Sequence, residues 1–266
     1  MPSHRIGFIG AGNMAEAIAR SAIAANLLKP DQIAAADPSP ERLAVFASFG
    51  IATYTTNADL LANCEQIILA IKPQVLEKIA ADLQPLRDDQ ILISIMAGMS
   101  TTKIAATLGR PARIVRVMPN TPVMIARGMA GICIGSAAEP GDEDLSVALF
   151  EAGGEVVRVD EEHMDAITAV SGSGPAYLFY LAEAMTAAAA EIGLGEHADK
   201  LVRQTLLGAA ELLAQSEEPP AELRRRVTSP GGTTAAAIDT LDQEQTTKAV
   251  IKAITAARDR GRELGA

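Results

Sequence analysis

Two glycine-rich stretches in this chain have the composition of anion sites. One is "SPGGTT", residues 229–234, which breaks structure and leads straight into the helical run "TTAAAIDTL". A helix N-terminus presents backbone N–H groups without intrahelical acceptors and the positive end of the helix dipole. It therefore attracts phosphate or carboxylate. The same stretch also reads as an ordinary cap, with Ser229 or Thr233 supplying the oxygen and the glycines shaping the turn. The other stretch is "IGFIGAGNMAEAI", where Gly10, Gly12 and Ala15 form G-x-G-x-x-A between an apolar strand and a helix. In that context Gly10 permits a tight turn, Gly12 lets the backbone approach a pyrophosphate, and Ala15 allows close helix–strand packing. Gly10, Ala11, Gly12, Asn13 and Met14 are thus expected to hold a dinucleotide. Asp37 ends the next strand, about 20 residues on, where a carboxylate binds the adenine ribose hydroxyls and favours NAD. Ser39 and Arg42 follow closely and could hold a 2′-phosphate, so NADH and NADPH both remain open.

These sites need elements to position them. Up to about Asp160 the chain alternates short apolar runs with helical stretches. "RIGFIG", "QIAAAD", "IATY", "QIILAIK", "ILISIMAG" and "RIVRVM" read as strands. "NMAEAIARSAIAA", "PERLAVFASFG", "ADLLAN", "QVLEKIAADL" and "TTKIAATL" read as helices. Strands that are apolar throughout are expected when helices cover both faces of a parallel sheet. A Rossmann-like, doubly wound, mostly parallel α/β sheet is predicted over 1–160, completed by "GMAGICIGS" and "GEVVRVD". In such sheets ligands sit outside the C-terminal ends of the strands. Ala70, Lys72, Pro73, Ala97, Gly98 and Asn120 fall there and would line one crevice along the cofactor. Lys72 reads equally well as a solvated strand end, and Asn120 as a turn residue.

From Glu161 the strands stop, and an all-α domain is predicted over 161–266. It is rich in Ala and Leu, with Gly193, Gly195 and Gly208 allowing close helix packing. A helical domain this apolar has surface with which to pair with itself, so a homodimer is expected. "SGSGPAYLFY" opens its first long helix, with Ser173 as cap and Pro175 in the first turn. Tyr177 and Tyr180 read as core or interface residues, and His163 as structural.

Composition excludes several classes. Hydrophobic residues make up 48% of the 266, as in a folded globular protein. No run of about 18 uncharged apolar residues suggests a membrane span. The formal net charge of −10 disfavours nucleic acid as a partner. An anionic ligand must then be captured by local N–H groups rather than by the overall field. Two cysteines in apolar surroundings and three scattered histidines indicate neither a disulfide framework nor a metal site. The start "MPSHRIGFIGAGNM" runs directly into strand and glycine loop, so no signal peptide and a cytoplasmic location are expected.

The motifs "GFIGAGNMAEAI", "AIKPQ", "RVMPNTP", "SGSGPAY" and "VTSPGGTT" occur in order over nearly the whole length. In this set the chain resembles pyrroline-5-carboxylate reductase. The resemblance implies reduction of 1-pyrroline-5-carboxylate to L-proline with NADH or NADPH, the last step of proline synthesis. It also implies a Rossmann domain followed by a helical domain that dimerises by interlocking helices, with larger rings of dimers in some members. It assigns the substrate carboxylate to backbone N–H groups around Ser229, Gly231, Gly232, Thr233 and Thr234. Thr234 matches a threonine whose hydroxyl lies near the imine nitrogen and could relay a proton. Asn57 matches a residue that contacts the adenosine part of the cofactor. Asp37 stands where NADPH-preferring members often have serine or arginine. The family site is expected to join the Rossmann crevice of one protomer to helices of its partner.

Two other readings share parts of this plan. A 3-hydroxyacid dehydrogenase-like oxidoreductase would carry a lysine on the helix after the second glycine motif, and "GSGPAYLFYLAEAM" has none. A non-catalytic NAD-binding regulatory protein would have no use for an intact "SPGGTT".

Overall fold

The computed structural model describes residues 2–265. One sheet of eight strands dominates it: β1 (His4–Ile9), β2 (Ile33–Ala36), β3 (Ala52–Tyr54), β4 (Cys64–Leu69), β5 (Ile91–Ser94), β6 (Arg113–Pro119), β7 (Gly128–Ile134) and β8 (Gly154–Arg158). Their spatial order is β3-β2-β1-β4-β5-β6-β7-β8. All neighbours pair in parallel except β6 and β7, so the mostly parallel sheet expected from sequence is what the chain forms. The order reverses between β1 and β4, which puts the C-terminal end of β1 at the switch point where doubly wound sheets bind ligands.

Helices α1 (Asn13–Ala24), α2 (Pro40–Ala47), α3 (Asn57–Asn63), α4 (Pro73–Ile79), α5 (Thr101–Leu108) and α6 (Asp144–Glu151) cover the sheet. Neighbouring strand residues serve opposite cores. Phe8, Ala35, Ile68 and Ile93 pack with Ile18 of α1 and Phe150 of α6. Ile9, Ala34, Ile67 and Leu92 pack with Leu60 of α3, Leu76 of α4 and Ile104 of α5. The period-2 geometry of a strand thus makes both faces apolar, which explains the uninterrupted hydrophobic runs.

The helical part follows as α7 (Met164–Ile167), α8 (Gly174–Glu191), α9 (Ala198–Gln215), α10 (Pro220–Arg226), α11 (Thr233–Gln243) and α12 (Thr246–Gly265). By contacts, Gly174–Ala256 form one compact unit, and the other described residues, including the last turns of α12, form a second. The strands end at Arg158, but the sheet-bearing unit continues to Ser173. Ser173 does not cap α8 as its position suggested. A π-turn spans Thr168–Gly172, and Ser173 keeps helical dihedrals (φ −87°, ψ −16°) while its N–H donates to the Thr168 carbonyl. Those dihedrals differ from the extended backbone usual at an N-cap.

A buried charge explains why the segment after β8 stays on the sheet. Arg116 in β6 is only 4% exposed. Its guanidinium pairs with Asp165 at 3.0 Å and Glu161 at 3.5 Å. Glu161 in turn accepts the Thr101 N–H and hydroxyl, both at 2.6 Å. The network ties β6, the start of α5 and the start of α7 together. Removing one member of a buried pair leaves the others uncompensated, at a cost of about 3–5 kcal/mol. Arg116→Met should therefore lower the unfolding free energy by about 3 kcal/mol, the low end because both acids keep some solvent contact. Denaturant melts of the two proteins measure it, and an unchanged midpoint would make the network dispensable.

Candidate active site

The glycine loop after β1 has the geometry its sequence requires. Gly10 sits at φ +97°, and a Cβ built there would lie 2.6 Å from the Ala70 carbonyl oxygen at the end of β4. Only glycine fits so close an approach at a left-handed position. Gly12 is different: its backbone is extended (φ −72°), and a Cβ built on it meets nothing within 4 Å. The space it leaves is open, as a cradle for a pyrophosphate must be. Gly12 is also the N-cap of α1, and no side chain caps that helix. Asn13 and Met14 begin the first turn, with Asn13 exposed and Met14 half-buried. The N–H groups of this turn have no intrahelical acceptor. The residues present therefore fit a dinucleotide phosphate bound on a helix N-terminus.

Asp37 closes the loop from the β2 side. Its Oδ2 accepts the Ala11 N–H at 2.7 Å and its Oδ1 the Ser39 N–H at 2.9 Å. Asp37, Thr55, Thr56, Asn57 and Asp82 line a cavity of about 370 Å³ beside the loop. Asn57 is the first residue of α3, and its side-chain amide donates to Asp82 at 3.4 Å. Asp37 and Asn57, read from separate motifs, thus share one cavity of a size suited to a nucleoside.

The other strand-end residues divide. Ala70 follows β4 and supplies the carbonyl against Gly10. Lys72 is exposed and caps α4 without a side-chain bond, with Pro73 in the first helical position. Ala97 is half-buried, whereas Gly98 (φ +71°) is buried under the last turns of α12. A Cβ on Gly98 would lie 3.0 Å from Leu264 Cβ and 3.2 Å from the Gly261 carbonyl. Gly98 is thus also a close-packing position. Asn120 is tied into the protein as well. Its amide donates to the Ser171 carbonyl and hydroxyl at 3.2 and 3.3 Å, and its carbonyl oxygen accepts the Met129 N–H at 2.9 Å. That side chain braces β7 and the π-turn at both ends.

In the helical unit, "SPGGTT" forms the entry to α11. Gly231 is left-handed at φ +69°, and Gly232 is the N-cap at φ −83°, ψ 176°. No side chain caps the helix, so neither Ser229 nor Thr233 plays the capping part the sequence allowed. The Gly232 N–H donates to the Ser229 carbonyl at 3.0 Å, closing the turn. A Cβ on Gly232 would collide with the Ser229 hydroxyl. Thr233 is exposed and Thr234 half-buried in the first turn. By contrast, Ser39, Thr56 and Ser100 do cap α2, α3 and α5 with their hydroxyl oxygens.

Both cysteines are buried, and burial pushes each thiol up to about 12, so neither is a nucleophile at neutral pH. His163 stands with Asp160 and Glu162 on the exposed surface. The ties of Arg42, Glu16, Ser39 and Glu41 around the loop, and the Arg116 network, were not visible from sequence. Their members lie 26 or more positions apart or are ordinary surface residue types.

Comparison with known proteins agrees along the whole chain. Residues 161–264 match the pyrroline-5-carboxylate reductase dimerisation family model, and residues 5–98 match one described as NADP oxidoreductase coenzyme F420-dependent. The chain is 41% identical to a pyrroline-5-carboxylate reductase of Pseudomonas aeruginosa, over 99% of this chain and 98% of that one. It is 38% identical to one of Arabidopsis thaliana, over 98% and 96%. Among solved structures, a Coxiella burnetii pyrroline-5-carboxylate reductase superposes with a TM-score of 0.89 at 36% identity, covering 99% of each chain. A Plasmodium falciparum pyrroline carboxylate reductase with NADP bound has the same TM-score at 29% identity, covering all of both chains.

The two loop glycines should respond differently to substitution. Gly12→Val should keep the melting temperature and lose reduced-cofactor binding by calorimetry. Gly10→Ala should lower the melting temperature, because its Cβ has no room. Unchanged cofactor affinity in Gly12→Val would remove this loop from the site.

Proposed function

The chain belongs to the pyrroline-5-carboxylate reductase family, and on that premise we propose that its two glycine-capped helix starts divide the ligands between them. It reduces 1-pyrroline-5-carboxylate to L-proline with NAD(P)H, completing proline biosynthesis. The entry to α1 takes the cofactor pyrophosphate, and the cavity lined by Asp37 and Asn57 takes the adenosine. The entry to α11 takes the substrate carboxylate on the N–H groups of its first turn. The observation that carries this reading is the absence of any side-chain cap at Gly12 and at Gly232. An anion can bind there without displacing a protein oxygen.

The chemistry asks little more of the protein. When bound, the nicotinamide supplies hydride to the imine carbon while the ring nitrogen gains a proton. A protonated cyclic imine is already electrophilic, so orientation and electrostatics carry most of the acceleration. The α11 entry fixes the ring through its carboxylate. Thr234 offers a hydroxyl to the imine nitrogen and relays the proton.

The helical unit gives the physical reason for dimerisation. Within Gly174–Ala256 the hydrophobic residues that are buried are Ala189, Ala198 and Val202. Phe179, Tyr180, Leu207, Leu212 and Ile251 are at least half exposed. So little core cannot hold helices together in water, and a second copy supplies the missing surface. The chain acts as a homodimer on a small-molecule substrate. A larger ring of dimers and a cytoplasmic location complete the proposal. In its support, no helix among the described residues is long and apolar enough to cross a membrane.

Thr234→Val tests the substrate half. Valine is nearly isosteric, so the change chiefly removes a hydroxyl. A hydrogen bond to a charged group is worth roughly 1.5–3 kcal/mol, so kcat/KM should fall roughly 10- to 150-fold. With a proton relay, kcat falls more than KM rises; with orientation alone, both move. Wild-type kinetics with a lowered melting temperature would return Thr234 to a purely structural role.

A further inference from the structure

The cavity beside the glycine loop contains two carboxylates, Asp37 and Asp82, and no cationic side chain. The two groups near it suited to a phosphate are both engaged. Arg42 donates from Nε to the Ala11 carbonyl at 2.6 Å and from Nη2 to Glu16 Oε2 at 2.8 Å. The other Glu16 oxygen accepts from Arg20 at 2.9 Å, so this carboxylate is held from two sides. The Arg42 guanidinium, foremost, holds the Glu16 carboxyl below its ordinary range, so it stays ionised at neutral pH. Ser39 donates its hydroxyl to Glu41 Oε2 at 2.6 Å, and its oxygen accepts the Arg42 N–H at 3.2 Å. Hydrogen bonding from Ser39 lowers the Glu41 carboxyl in turn.

A 2′-phosphate arriving here would meet the Asp37 charge. To draw Arg42 or Ser39 toward it, the phosphate would have to compete with Glu16 and the Ala11 carbonyl or with Glu41, and the hydroxyl side chains that line the cavity itself, Thr55 and Thr56, carry no charge. The ribose 2′-hydroxyl of NADH needs only an acceptor, and Asp37 keeps lone pairs for it after taking its two backbone N–H bonds. We propose that this chain uses NADH in preference to NADPH, and that Glu16 and Glu41 set the preference by holding Arg42 and Ser39 in protein bonds. They act as positioning residues through Arg42 and Ser39. The inference rests on the glycine loop binding the dinucleotide, and it adds which dinucleotide and why.

The test is calorimetry of NADH and NADPH binding to the intact protein without substrate, with kcat/KM for each cofactor alongside. The wild-type protein should bind NADH at least about tenfold more tightly, the scale of one charge-assisted contact. Glu16→Gln removes the charge that holds Arg42 and should narrow that ratio roughly tenfold, mainly by strengthening NADPH binding. Adding Arg42→Gln to that variant should abolish the gain, which a merely structural role for Glu16 would not predict. Glu41→Gln, at an exposed position, should shift the ratio the same way by a smaller factor. Equal or tighter NADPH binding by the wild-type protein would overturn the inference, as would an unchanged ratio in Glu16→Gln. If neither nucleotide bound, the dinucleotide reading would fall and this inference with it. If both bound with NADPH tighter, this inference alone would fall.

Discussion

Backbone N–H groups left without a protein oxygen at a glycine-capped helix start are the feature on which the rest of this molecule depends. An N-cap serine, threonine or aspartate stabilises a helix by about 1 kcal/mol relative to alanine, while glycine loses only a few tenths of that. The chain uses hydroxyl caps at α2, α3 and α5, through Ser39, Thr56 and Ser100. At α1 and α11 it leaves the cap to glycine. A side-chain oxygen there would satisfy the N–H groups and occupy the anion's place. The net charge of −10 sharpens the requirement. The long-range field repels anionic cofactor and substrate, so binding must come from contacts within a few ångströms, where screening is weak.

The surrounding architecture serves these two ends in different ways. At α1, a sheet buried on both faces holds the loop. Gly10 presses against Ala70 across the switch point, and Asp37 grips the Ala11 N–H. The precision comes from a large core that hardly deforms. At α11, the turn is shaped locally, by Gly231 in a left-handed conformation and by Ser229 closing onto Gly232. The helices around it bury little by themselves, so their rigidity is a property of the dimer. On the proposed reading of the α11 entry, dimerisation is therefore a condition for an ordered substrate site.

Much of this was legible in the sequence because it is written in local patterns. Uninterrupted apolar runs fixed the two-faced sheet, and G-x-G-x-x-A between strand and helix fixed the loop. The "SPGGTT" stretch taken alone favoured a helix cap over an anion site, and the backbone shows that no side chain caps α11. What the sequence hid depends on pairs far apart in the chain. Gly98 looked like a crevice residue, and the packing of Leu264 and Gly261 on it could not be read from the sequence. Asn120 looked like a crevice residue, and its bonds to Ser171 and Met129 were likewise hidden. Ser173 looked like a cap, but a π-turn carries the helical backbone through it. Arg42 looked free to meet a phosphate, yet Glu16, 26 positions away, pairs with it.

Backbone-amide NMR of the deuterated dimer saturated with oxidised cofactor tests the central claim most directly. L-Proline and pyrrolidine would be titrated in separate samples; they share the ring and nitrogen and differ in the carboxylate. If the glycine-capped start of α11 binds that carboxylate, L-proline will move the amide protons of Thr233, Thr234 and Ala235 downfield and pyrrolidine will not. Equal shifts with both ligands, or shifts with L-proline that leave this turn untouched, would contradict the account.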